Sequence, residues 1–102
     1  MGSSTQSDTV TQTRQKIKPP SMWKVIILND NKTPFDFVIA ILMKIFNHPE
    51  DIARSLTTRV HESGSAVAGV FSHEVAEHKC EVSMKCASDF SFPLQLKIEE
   101  DK

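Results

Sequence analysis

Apolar and polar positions fall into short blocks along this chain, and each block has its own period. Trp23 to Leu28 (WKVIIL) is β-branched and aromatic, the pattern of a buried strand. Asn29 to Lys32 is turn chemistry. Thr33 is the expected N-cap of a first helix, with Pro34 at the first helical position. That helix is expected to run to about Phe46. A second helix opens at His48-Pro49-Glu50-Asp51, with proline and acids in its first turn. Ile52, Leu56 and Val60 recur along it at four-residue spacing, and it should stop near Gly64. Ser65 to Phe71 reads as a short strand. Ser72 then caps a third helix, with Glu74 in its first turn and Val75, Val82 and Cys86 marking one face. Pro93 precedes a last strand, LQLKIE, with period-two alternation. The order β-α-α-β-α-β predicts an α+β domain, a small three-stranded antiparallel sheet packed with three helices.

The first helix carries more apolar surface than a single stripe requires. Ten of the twelve residues from Phe35 to Phe46 are apolar. A helix lying on a sheet needs one apolar face. Either neighbouring segments cover the surplus, or part of it lines a pocket or a partner surface. The polar triplet Asn29-Asp30-Asn31 stands directly at the mouth of this helix and favours the second possibility.

Upstream of the strand the pattern vanishes. Residues 1–18 contain seven Ser or Thr and three Gln, with only Met1, Val10 and Ile17 apolar. Such a segment has no core and is expected to be a disordered arm, ending in the stiff Pro19-Pro20 junction. The organisation is therefore an arm over residues 1–20 and one domain over 21–102.

Composition narrows the classes. The chain has 102 residues, 39% hydrophobic and 25% charged, with a formal net charge of -1. A nucleic-acid binder would show a basic excess. No run of 18 apolar residues is present, and residues 1–18 lack the apolar core of a secretory signal. Cys80 and Cys86 are six residues apart, on different faces of a helix, so reduced thiols in a cytoplasmic compartment are expected. His73, His78, Cys80 and Cys86 contain no Cys-x-x-Cys pair, and nothing nearby activates either thiol, so neither a zinc site nor a cysteine enzyme is expected.

Taken together, KPPSMWKVIILNDNKTPFDFV, TRVHESGSAVAGVFSHEVAEHK and FPLQLKIEED resemble the ClpS family, adaptors of the bacterial N-end rule pathway. The resemblance spans Lys18 to Asp101. It implies a non-enzymatic adaptor that binds proteins beginning with Phe, Leu, Tyr or Trp. It further implies delivery of these N-degron substrates to a ClpA-like or ClpC-like AAA+ unfoldase partnered with a protease, without a cofactor and without metal. Carried over residue by residue, the resemblance assigns Asn29, Asp30 and His61 to the substrate's α-amino group. Thr33, Phe35, Val38, Thr57, Val60 and Leu94 fall on the pocket for the first side chain. Glu74 and Lys79 fall on the surface that meets the N-terminal domain of the unfoldase. Two other readings stay open at this stage: a module of the same fold for a different ligand, and a nucleic-acid or ribosome-associated domain.

The residue types suit the task. An α-ammonium has three N–H donors and a positive charge. Asn29 offers a carbonyl oxygen, neutral His61 a ring nitrogen and Asp30 a carboxylate, directly or through water. Taken singly, each residue has an ordinary structural role: Asn-Asp is a common turn, and Val38, Val60 and Leu94 are core types. This chain also departs from the family pattern. Phe35 and Thr57 stand where several members carry Met, and Asn31 replaces a frequent second acid after Asp30. These changes bear on the ranking among Phe, Leu, Tyr and Trp.

Overall fold

The computed structural model describes residues 21–102, so the expected arm at residues 1–20 lies outside them. The element order is β1 (Met22–Leu28), α1 (Phe35–Lys44), α2 (Glu50–Ser63), β2 (Ser65–Ser72), α3 (His73–Asp89) and β3 (Gln95–Asp101). The strands form one sheet in the order β2-β1-β3, with both pairings antiparallel. This is the α+β architecture that the sequence pattern predicts.

β1 is the central strand, which accounts for its apolar run from Val25 to Leu28. Val25 and Ile27 point into the core shared with the helices. Ile26 lies on the opposite face, between Val67 of β2 and Lys97 of β3, and is nearly as buried. The register of β1 against β2 slips between Val25 and Ile26, where Ala68 is passed over as a bulge. The carbonyl of Ala68 accepts a hydrogen bond from the His48 ring, which ties the link before α2 to this bulge. Gly69 beside it leaves room for the Phe71 ring. A Cβ there would stand 2.7 Å from the Phe71 ring.

The helices cover one face of the sheet, and their buried faces differ from the sequence expectation. On α3 the core-facing residues are Ala76, Cys80, Ser83 and Ala87, whereas Val75 and Val82 are exposed. Small side chains let the helix axis approach the sheet closely, and the larger valines are left outside. On α2 the buried set is Ala53, Thr57 and Val60, with Ile52 exposed and Leu56 half-buried. Again the smaller side chains face a close neighbour, here α1. The surplus on α1 is mostly covered. Val38, Ile39, Ile41 and Leu42 are buried, and Phe37 is flanked edge-on by Phe90 and Phe92 at 5.6 and 4.9 Å between ring centroids. Phe35 and Met43 remain exposed.

The segment after α3 places Leu94. Ser91 adopts a left-handed φ of 65°, and the Phe92 N–H returns to the Ala87 carbonyl at 2.8 Å. The chain is thereby folded back under α1, and Leu94 enters the core at 2% exposure.

Candidate functional site

The site begins where β1 runs out. The Asn29 N–H donates to the Gly64 carbonyl at 2.9 Å, which joins the end of β1 to the end of α2. Gly64 terminates α2 with a φ of 92°, and its N–H donates to the Val60 carbonyl at 2.9 Å. No atom would obstruct a Cβ at this position, so the glycine answers the backbone conformation alone. Because the chain closes here, His61 in the last turn of α2 is carried to the same end of the domain as Asn29.

Asp30 shapes the loop that follows. Its Oδ1 accepts the N–H of Lys32 at 2.8 Å and of Thr33 at 2.7 Å, while its Oδ2 accepts the Thr33 hydroxyl at 2.8 Å. Burial pushes the Asp30 carboxyl up. The bonds from the Thr33 N–H, the Lys32 N–H and the Thr33 hydroxyl outweigh it, and the net direction is below the ordinary carboxylate value. The Thr33 hydroxyl is turned to Asp30 and no side chain caps the helix. The expected boundary shifts by one residue: Pro34 is the N-cap, α1 starts at Phe35, and the Pro34 carbonyl receives the Phe37 and Val38 N–H groups.

This loop, α1 and α2 enclose a cavity of about 270 Å³. It is lined by Asn29, Asp30, Asn31, Thr33, Phe35, Val38, Thr57, Val60 and His61. An adjoining recess of about 20 Å³ shares five of these residues and adds Leu28 and Leu94. All nine residues expected around an amino group and a side chain thus meet at one place. Asn31 and Leu28 join them. Asn31 was legible from its adjacency to Asp30, whereas Leu28 carries no signal apart from its place at the end of a strand.

The lining is divided by chemistry. Asn29, Asp30, Asn31 and His61 bring acceptors and one formal negative charge. Phe35, Val38, Val60 and Leu94 bring hydrocarbon. Val38 and Val60 are 6% and 3% exposed, whereas Phe35 is 44% exposed. Drug-sized ligand pockets start at about 300 Å³, so the space suits one side chain with its backbone end.

Glu74 and Lys79 lie elsewhere, on α3, where they line a shallow depression with Val75 and His78. Lys79 is held internally. Its Nζ donates to the Ile45 carbonyl at 2.7 Å, just past the end of α1, and lies 5.2 Å from the Phe71 ring centroid and 5.8 Å from that of Phe46. Cys80 and Cys86 are both free. Burial pushes the Cys80 thiol up, with Glu81 and Glu77 adding to the effect, which is the opposite of an activated nucleophile. Among the described residues, no group of three His, Cys, Asp or Glu side chains is placed to hold a metal ion. No helix among them is long and apolar enough to cross a membrane.

Comparison with known proteins places the chain in a family. The family model for the ATP-dependent Clp protease adaptor protein ClpS matches residues 18–97. The ClpS adapter of Treponema denticola is 40% identical over 86 residues, covering 84% of this chain and 85% of that protein. The ClpS adapter of Cronobacter sakazakii is 44% identical over 87 residues, 85% of this chain and 82% of its own. That of Desulfotalea psychrophila is 40% identical over 96 residues, 94% of each chain. Among solved structures, Agrobacterium tumefaciens ClpS2 bound to L-phenylalaninamide superposes with a TM-score of 0.79 at 34% identity, covering 81% of this chain and 100% of that one. With a family match over most of its length and relatives at 40% identity or more, this chain belongs to the ClpS family of Clp protease adaptors.

Proposed function

We propose that this adaptor binds the free α-amino group and bulky hydrophobic first side chain of N-degron proteins and hands them to an AAA+ Clp unfoldase. The observation that carries this reading is one cavity that unites Asn29, Asp30 and His61 with the apolar Phe35, Val38 and Val60, with Leu94 in the adjoining recess. The ligand of the Agrobacterium structure, L-phenylalaninamide, has a free amine and a phenyl ring and lacks a carboxylate, as a protein's N-terminus does.

In this reading Asn29 and neutral His61 accept two of the ammonium's protons, and Asp30 accepts the third and balances its charge. Hydrogen bonds to a charged group contribute about 1.5–3 kcal/mol each, and a buried Phe or Leu side chain about 1.5–3 kcal/mol. Several kcal/mol of association entropy oppose them, so the net reaches about -8 kcal/mol, near micromolar, with the favourable contributions at the top of their ranges. Recognition is non-covalent, so the adaptor role needs no cofactor and no chemical step.

The depression formed by Glu74, Val75, His78 and Lys79 is the proposed face for the unfoldase's N-terminal domain. Since the Lys79 ammonium is engaged by the Ile45 carbonyl, Glu74 offers the freer charge there. Residues 1–20 are the proposed hand-over arm of a cytoplasmic adaptor. Removing residues 1–16 should leave peptide affinity unchanged and slow degradation of an N-degron reporter; equal degradation would dismiss the arm's role.

Fluorescence anisotropy with peptides beginning Phe, Leu, Val or acetyl-Phe tests the central claim. Phe and Leu should bind near micromolar or tighter, Val more weakly, and acetyl-Phe not measurably. Equal binding of acetyl-Phe and Phe would refute recognition of the free amine.

A further inference from the structure

Two hydroxyls line the cavity beside its hydrocarbon wall, and both have their protons committed to the protein. The Thr33 hydroxyl donates to Asp30 Oδ2 at 2.8 Å, and the Thr57 hydroxyl donates to the Ala53 carbonyl at 2.7 Å. A hydroxyl has one proton and two lone pairs. Toward a guest, both groups are therefore acceptors only.

Their positions differ. The Thr33 oxygen sits against the Asp30 carboxylate, at the end of the cavity that takes the ammonium in the proposed function. Thr57 is on α2, one helical turn before His61 and on the same face, a separation of about 5–6 Å between side-chain roots. It is 3% exposed and lines the cavity with Val60, from the helix and not from the charged loop. A first side chain whose amine rests on His61 extends along this wall over a similar length.

Among bulky hydrophobic first residues, Trp and Tyr carry a donor on the ring and Phe and Leu carry none. A buried indole N–H or phenol O–H needs an acceptor, and a pocket of pure hydrocarbon leaves it unpaired. Apart from the residues at the ammonium end, Thr57 supplies the side-chain oxygen in this lining.

We propose that Thr57 is a specificity-determining residue: its oxygen accepts the hydrogen bond of a Trp or Tyr first side chain, raising those residues relative to Phe. This inference rests on the N-degron reading above and deepens it.

The test compares ratios of dissociation constants, so that a general change in pocket shape cancels. Peptides starting with Phe, Tyr, Trp and the benzothienyl analogue of Trp, in which sulfur replaces the ring N–H, are titrated against the full-length chain. The same set is titrated against Thr57→Val and Thr57→Ser. Val keeps the shape without the oxygen, and Ser keeps the oxygen. The Ala53 carbonyl still receives the helical N–H of residue 57 in either variant. In the parent, Trp should bind about three- to tenfold tighter than its sulfur analogue, the net worth of one hydrogen bond. Thr57→Val should erase that ratio and lower Tyr and Trp relative to Phe by a similar factor, and Thr57→Ser should restore both. Equal binding of Trp and its sulfur analogue by the parent chain would overturn the proposal without any variant. So would Tyr/Phe and Trp/Phe ratios that stay the same in Thr57→Val. If none of the free-amine peptides binds the parent, the N-degron reading itself fails and this inference with it.

Discussion

Replacing Asp30 with Asn removes one charge from the cavity mouth and keeps an oxygen where the loop needs it. In the parent, Oδ1 holds the N–H groups of Lys32 and Thr33, and Oδ2 receives the Thr33 hydroxyl. The Asn side-chain oxygen can keep both backbone bonds. Its amide nitrogen then faces the Thr33 oxygen at a distance of 2.8 Å and reverses the direction of the third bond. The loop should persist, and the stability loss should stay under about 1 kcal/mol, the scale of one rearranged neutral hydrogen bond. Binding should suffer more. A carboxylate has about four lone-pair sites, and three are already occupied, which leaves one on Oδ2 for an ammonium. Opposite unit charges 4 Å apart attract by about 1 kcal/mol in water and about 4 kcal/mol at an effective dielectric of 20. Asp30 is half-exposed, so the lower part of that range applies. The expected loss is about 1–2 kcal/mol, or about five- to thirtyfold in affinity for a Phe-starting peptide. Anisotropy titrations at low and high salt, with thermal melts by circular dichroism alongside, separate the two effects. The parent's affinity should fall with salt more steeply than the variant's. Binding by Asp30→Asn within twofold of the parent at both salts would show that Asp30 braces the loop and does not meet the ligand.

Three further outcomes follow from other parts of the structure. Phe35, 44% exposed on the cavity lining, should obstruct β-branched first residues; Phe35→Ala should narrow the gap between Leu- and Val-starting peptides, and an unchanged gap in anisotropy would remove it from that role. Ser83 is fully buried, and its Oγ has no partner among the described residues, so Ser83→Ala should stabilise the domain by about 1–2 kcal/mol, about 5–10 °C in melting temperature; a lower melting temperature would refute this. The folded Asp30 carboxyl titrates below its ordinary value of 3.8, so the folded chain holds fewer protons than the unfolded chain there. Its contribution is complete above that value and is lost as pH falls through the folded one; the stability difference between parent and Asp30→Ala should therefore shrink from pH 7 to pH 3, and a constant difference would refute the linkage.

The sequence by itself determined the elements and their order, and it named the residues that the structure brings together around one cavity. The WKVIIL run reads as a buried strand from its β-branched and aromatic side chains, and the structure places it at the centre of the sheet, paired on both sides. Gly64 and Ser72 marked boundaries that the structure keeps, because left-handed backbone and an N-cap oxygen are local demands. Asn29, Asp30 and His61 stood out through the family resemblance, since each alone passes for a turn or a surface helix residue. Tertiary structure decided which side of each helix faces in. Hydropathy pointed to Val75 and Val82 on α3, yet the sheet lies so close that Ala76, Cys80, Ser83 and Ala87 fit and the valines do not. It also decided that Lys79 reaches the Ile45 carbonyl, 34 residues away in the chain. The same holds for Thr57, which the family resemblance put on the pocket but no local pattern marks: it is buried and lines the cavity only because α2 packs against α1. Helix facing depends on the distance to a neighbour, and a cavity depends on what several elements leave unfilled; neither quantity is a property of a local stretch of chain.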